Sequence, residues 1–157
     1  MVQQSFDRTR DDSLLLKDAG LIAADDICQV GGADAVLDVG AAHFQADLVI
    51  DVTACEIANN DEEYIVTLQG SNSATFASGV VPLQSIQFGA FETFGTSLGY
   101  DVDVTTGRYV LPVHNFGYAT AGDAGTGTYF RYLRLAVDVA GTIATGINFT
   151  AWLSKRQ

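Results

Sequence analysis

Between Phe44 and Val52 the chain reads Phe-Gln-Ala-Asp-Leu-Val-Ile-Asp-Val. Residues 44, 46, 48, 50 and 52 are apolar, whereas Gln45, Asp47 and Asp51 are polar. A period of two gathers the apolar set on one face of an extended strand, whereas a helix would scatter it around its axis. The segment is therefore a strand with one face in a core. Tyr64 to Gln69 repeats the pattern, with Tyr64, Val66 and Leu68 together. Ile147 to Ser154 does so again: Ile147, Phe149, Ala151 and Leu153 share one face, and Asn148, Thr150, Trp152 and Ser154 the other.

Further strands are expected at Ala35–Val39, Val80–Phe88, Tyr100–Val104, Arg108–Val113 and Tyr129–Val139. Valine and threonine are abundant and prolines number two, which suits strands. Pro82 and Pro112 fall within β runs, so those runs belong at sheet edges or bulges, because proline cannot donate to a ladder. Gly107, after Thr105-Thr106, suits a short hairpin. Loops are expected at Asn59–Glu63, Gly70–Gly79, Gly89–Gly99 and Gly117–Thr128. About eight antiparallel strands joined by long loops suit an all-β sandwich, and the jelly roll is the common eight-strand form. The predicted division is a jelly-roll β-sandwich domain over 33–157 preceded by an extended N-terminal arm over 1–32. The arm lacks alternation, yet Leu14, Leu15, Leu16 and Leu21 are apolar. These points dock either on a partner or on the chain's own sandwich.

Charge narrows the function classes. The 157 residues carry 19 acidic and 8 basic side chains, a net of −11. Residues 1–63 hold 14 of the acids and 3 of the bases. Nucleic-acid binders normally carry a basic patch, so direct nucleic-acid binding is not expected. No stretch reads as a transmembrane helix, which needs about 20 mostly apolar residues, so no membrane partner is expected. The first residues lack the basic and apolar regions of a secretory signal. Cys28 and Cys55 lie in no CxxC and are read as reduced, partly buried thiols.

A search for chemistry finds little. A metal site on a jelly roll needs several convergent histidines and carboxylates, and His43 and His114 are far apart in sequence. No GxSxG is present. The acidic pairs Asp11-Asp12, Asp25-Asp26, Asp61-Glu62-Glu63 and Asp101/Asp103 are read as solvated carboxylates. Calcium-loop spacing is absent, and Gly122–Gly127 lacks the ending of a phosphate loop. No catalytic residue, cofactor or metal is expected. Arg131 and Arg134 stand among aromatic residues in Tyr129–Leu135. They serve either as interface anchors or in an internal ion pair or as a ring-stacked arginine.

The order of several motifs carries a resemblance. Leu14-Leu-Leu-Lys-Asp-Ala-Gly20 precedes Val36-Leu-Asp-Val-Gly40 and Leu48-Val-Ile-Asp-Val-Thr-Ala54. Asp61-Glu-Glu-Tyr64 leads to Leu68-Gln-Gly-Ser71, and Gly107-Arg-Tyr109 to Leu111-Pro-Val-His-Asn115. Tyr132-Leu-Arg-Leu135 and Thr145-Gly-Ile-Asn-Phe-Thr-Ala-Trp-Leu153 close the series. This arrangement, spanning roughly residues 10–155, resembles the Bbp16-like capsid cement proteins of tailed bacteriophages. The resemblance implies a non-enzymatic jelly-roll protein, made in the host cytoplasm and carried on the outer surface of the virion's capsid. Its implied partners are the HK97-fold major capsid protein and further copies of itself, as a dimer or trimer at symmetry axes. The expected contact residues are Phe6, Arg8, Arg10, Leu14, Leu15, Leu16, Leu21, Arg131 and Arg134. The alternative is a carbohydrate- or receptor-binding virion module that uses exposed aromatics, with Tyr118, Tyr129 and Trp152 as candidates.

Overall fold

The computed structural model describes residues 10–90, 103–118 and 127–155. The protein is all-β, and every strand pairing is antiparallel. A single turn of 3-10 helix, Asp12–Leu14, is capped by the Asp11 carboxylate, which accepts from the Ser13 N–H. Six short strands follow: β1 (Leu15–Lys17), β2 (Leu21–Ile22), β3 (Asp26–Ile27), β4 (Gln29–Val30), β5 (Ala33–Asp34) and β6 (Leu37–Asp38). The long strands are β7 (Gln45–Cys55), β8 (Glu63–Ser71), β9 (Val81–Gly89) and β10 (Gly107–His114). Then come the short β11 (Phe116–Tyr118) and β12 (Gly127–Tyr129), and last the long β13 (Tyr132–Ala140) and β14 (Ile147–Lys155).

Two sheets carry the fold. One runs β1-β14-β7-β10, with β2 also on β14; the other runs β3-β13-β8-β9, with β6 also on β13. Both send their alternating apolar residues into one shared core. Leu48, Ile50, Phe149, Ala151 and Leu153 come from the first sheet, and Tyr64, Val66, Leu68, Leu133 and Leu135 from the second. The face predicted from Phe44 to Val52 is the one that packs there. Pro112 lies in the edge strand β10. Pro82 lies in the edge strand β9, where the register against β8 shifts between Leu68 and Gln69. Both prolines thus sit where a missing donor does least harm.

Three expectations are corrected. The first is the arm. From residue 15 onward the chain is paired into the sheets: β1 and β2 lie along β14, and β3 along β13. Leu16 is 0% exposed within the shared core. Strands this short show no periodicity, so an extended arm was the natural reading. The second is the long strand Tyr129–Val139, which is broken at Phe130 and Arg131 into β12 and β13. The third is the hairpin at Gly107. Val104 instead exchanges backbone hydrogen bonds with Gly89 at 2.9 and 3.2 Å, and residues 100–102 lie outside the described residues.

The outer face of the first sheet has its own apolar cluster. Trp152, only 3% exposed, packs with Leu15 and Val49, and Val30 and Val110 close over them. The Arg108 guanidinium lies 5.5 Å from the Trp152 ring and donates to both Asp51 carboxylate oxygens at 2.6 Å.

Burial separates the roles of the N-terminal leucines. Leu16→Ala leaves a cavity in the shared core and should lower stability by about 2–5 kcal/mol. Leu21, 61% exposed, should change it by less than about 0.5 kcal/mol when replaced by alanine. Urea unfolding of both variants checks this contrast.

Candidate functional site

Where β10 ends, Asn115 is fully buried and ties three segments together. Its side-chain amide donates to the Ala42 carbonyl at 2.8 Å and the Phe130 carbonyl at 3.0 Å, and its oxygen accepts from the Phe44 N–H at 2.8 Å. Its backbone carbonyl accepts from the Phe130 N–H at 2.7 Å. Asn115 thereby fixes the base of the β11–β12 hairpin.

The two faces of that hairpin differ. Gly117 pairs with Thr128 in register. A Cβ at Gly117 would stand 3.0 Å from Leu83 and 3.1 Å from Phe130, so this side lies against the body of the protein. Residues of the opposite parity, Phe116, Tyr118 and Tyr129, point away from it. A side chain at Gly127 would run into the Phe116 ring, so only glycine lets that ring lie across the partner strand. Phe116 meets Tyr129 with ring centres 5.3 Å apart and planes at 60°, and Tyr118 at 5.8 Å and 73°. His43 adds an edge contact to Tyr129 at 5.6 Å. Tyr118 is 54% exposed and Tyr129 40%. The fold thus builds an aromatic face open to solvent out of a segment that sequence reasoning treated mostly as a loop.

The opposite end of the sheets is acidic and differently organised. Glu56, at the end of β7, accepts from the N–H groups of Ala144, Thr145 and Gly146, at 2.6–3.2 Å. Asp61 accepts from the N–H and hydroxyl of Thr142, and Asp25 from the Val139 N–H. Glu62 is fully buried and accepts from the N–H groups of Asn59 and Asp61 at 2.7 and 3.2 Å. These carboxylates satisfy loop amides that would otherwise be unpaired. The expectation that they are simply solvated is therefore corrected for Glu62. Asp101 lies outside the described residues. Among the described residues Lys17 is the other buried charge. Its ammonium donates to the Asp18 and Gly20 carbonyls, both at 2.9 Å, and lies 5.0 Å from the Phe149 ring. Burial pushes its pKa down.

Of the contact residues expected from sequence, those described are distributed between surface and core. Phe6 and Arg8 lie outside the described residues. Arg10 is exposed and pairs with Asp12 at 3.0 Å. Leu14 packs partly on the core, Leu16 is inside it, and Leu15 is covered on the outer face of the first sheet. The apolar surface of Leu15 and Leu16 is thus used within the chain. Leu21 stays exposed on β2. Arg131 donates through Nε and Nη2 to the Asp38 carboxylate and stacks 5.2 Å from Tyr132. Arg134 lies 4.3 Å from the Phe76 ring and donates to Gln69. Within the chain Arg131 is thus ion-paired and Arg134 lies against a ring. Trp152 is buried, which removes it from the exposed aromatics. Asn115, Lys17, Glu56 and Glu62 had no sequence signal beyond residue type.

Both cysteines are free. Burial raises the Cys28 thiol to about 12 and the Cys55 thiol to about 11, so neither is a poised nucleophile. Among the described residues no group of three or more His, Cys, Asp or Glu side chains is placed to hold a metal ion. No family model matches the chain, and no curated protein matches it.

The acidic clasp has a signed pH dependence. Backbone N–H groups of Thr145 and Gly146 hold the Glu56 carboxyl below its ordinary range. Its contribution is complete above the unfolded value of about 4.3 and is lost as pH falls through the lowered folded value. Glu56→Gln should melt lower than the native chain at pH 7. The gap should narrow as pH falls below the unfolded value of about 4.3, which melting curves across pH can measure.

Proposed function

We propose that this protein is a capsid cement protein that binds the outer surface of a tailed-phage head and ties neighbouring capsomers together. One observation carries the reading: the order in which the strands enter the two sheets. One sheet takes β1/β2, β14, β7 and β10; the other takes β3/β6, β13, β8 and β9. Counting β1/β2 and β3/β6 as one strand each, and lettering β1/β2, β3/β6, β7, β8, β9, β10, β13 and β14 from B to I in chain order, the eight strands are dealt to the sheets as B-I-D-G and C-H-E-F. We read this order as the winding of a jelly roll, an architecture that recurs in capsid proteins. The motif order that resembles the Bbp16-like cement proteins supports the same reading.

The mechanism would be mechanical. A subunit that touches two or more capsid proteins adds its own contacts to those that must break when the shell opens. Binding that favours the closed shell stabilises it by mass action. Repetition over a lattice turns modest contacts into high avidity. The acidic character keeps such a subunit from competing for packaged DNA.

A second reading, a carbohydrate- or receptor-binding virion module, is favoured by the aromatic face of Phe116, Tyr118 and Tyr129. Against it, the rings stand edge to face and offer no flat platform on which successive sugar rings could stack.

Co-sedimentation with heads stripped of their outer proteins separates the two. The cement reading expects saturable binding in fixed proportion to the major capsid protein and a higher rupture temperature. No binding to mature shells, together with retention on a glycan array, would replace it with the second reading.

A further inference from the structure

The end of the sheets where β13 turns into β14 gathers negative charge that no lysine or arginine of the described residues neutralises. We propose that this end docks on a lysine- or arginine-bearing surface of another protein, and that one of those side chains is received by the Tyr64 hydroxyl. The docking is read from the charges and the hydroxyl; that the partner is a major capsid protein rests on the reading above.

The carboxylates stand around residues 137–146. Asp26 pairs with Val137 in the β3–β13 ladder, Asp25 accepts from the Val139 N–H, and Glu63 stands opposite Ala140. Asp138 lies among them and is exposed. Asp61 accepts from Thr142, and Glu56 from Thr145 and Gly146. The basic residues are spent elsewhere: Arg10, Arg108 and Arg131 pair with Asp12, Asp51 and Asp38, and buried Lys17 donates to two carbonyls. Ala90 donates to the Glu62 carbonyl at this end, and the stretch 91–102 that follows it carries Glu92 and Asp101 and no basic residue. Arg131 precedes β13 and Lys155 ends β14, so both stand at the far end of their sheets. The molecule is thus electrically polar along its strands, and a cationic surface draws in the acidic end first.

A second observation lies beneath these carboxylates. Tyr64 is fully buried, and its hydroxyl has no hydrogen-bond partner. Buried hydroxyls nearly always have one. Burial, and then the neighbouring Cys55, Glu56 and Glu62, push its pKa up, so the hydroxyl points to the acidic end. An ammonium or guanidinium entering beside Glu56 and Glu62 would donate to the idle oxygen and be neutralised by the carboxylates. A metal ion fits less well. Among the described residues no three ligating side chains converge, and Glu56, Asp61 and Glu62 already hold loop amides. Charges spread over several loops match several cations fixed on a surface. Nucleic acid and anionic lipid would be repelled.

NMR titration of the full chain with end-capped tetralysine, and with tetraglutamine as the neutral probe, tests this. Amides at 25–26, 56–63 and 138–146 should shift saturably with tetralysine and not with tetraglutamine, and salt should weaken the binding. The double variant Asp26→Asn, Asp138→Asn keeps the acceptor oxygens and should weaken binding about threefold to tenfold. Asp12→Asn with Asp34→Asn, which removes equal charge elsewhere, should weaken it by less than about twofold. Tyr64→Phe should weaken it about fivefold with a melting temperature unchanged or raised, because it removes an idle buried hydroxyl. Shifts centred away from this end, equal binding by the two charge-removed chains, or a Tyr64→Phe chain that binds as tightly as the native one overturns the proposal. So does calcium that binds at this end more tightly than tetralysine, which assigns it to a metal. Stripped heads separate this from the cement reading. Heads decorated equally by the native and the Asp26→Asn, Asp138→Asn chains overturn the docking alone; a chain that binds tetralysine as expected and leaves heads bare upholds it and overturns the cement reading.

Discussion

The pairing of β14 with β7 is the contact on which the rest of the protein depends. Their register runs from Ile147 opposite Cys55 to Lys155 opposite Ala46. β14 holds β1 and β2 on its other side, so the last long strand closes a sheet whose edge comes from the start of the chain. The second sheet repeats this logic, with β13 between β8 and the short β3 and β6. Neither apolar face can be covered until residues far apart in sequence have met. A fold of that kind has high contact order and is expected to form slowly.

Once the sheets are placed, their two ends face different physical problems. At one end the turns leave amides that need acceptors, and Glu56, Asp61 and Glu62 supply them. Much of the acidity of the first half of the chain is thus structural, and not simply a solubilising coat. At the other end Asn115 performs the same task without charge. It fixes the base of a hairpin whose outer face is left for aromatic rings. The contrast between an acidic end and one that carries an aromatic hairpin follows from which side chains complete which turns.

This division also explains what could be read from the sequence. The alternation at Phe44–Val52 and Ile147–Ser154 is imposed by one-sided burial, so the long strands were legible nearly to their ends. A strand of two or three residues, such as β2 or β3, contains no period to detect. β11 and β12 were hidden because Gly117 and Gly127 read as loop residues. Here glycine serves close packing, against Leu83 and Phe130 in one case and the Phe116 ring in the other. Arg131 and Arg134 were legible as residues with partners. Those partners, Asp38 and the Phe76 ring, are brought near only by the closed sheets. The burial of Glu62 likewise depends on how the loop after β7 folds back.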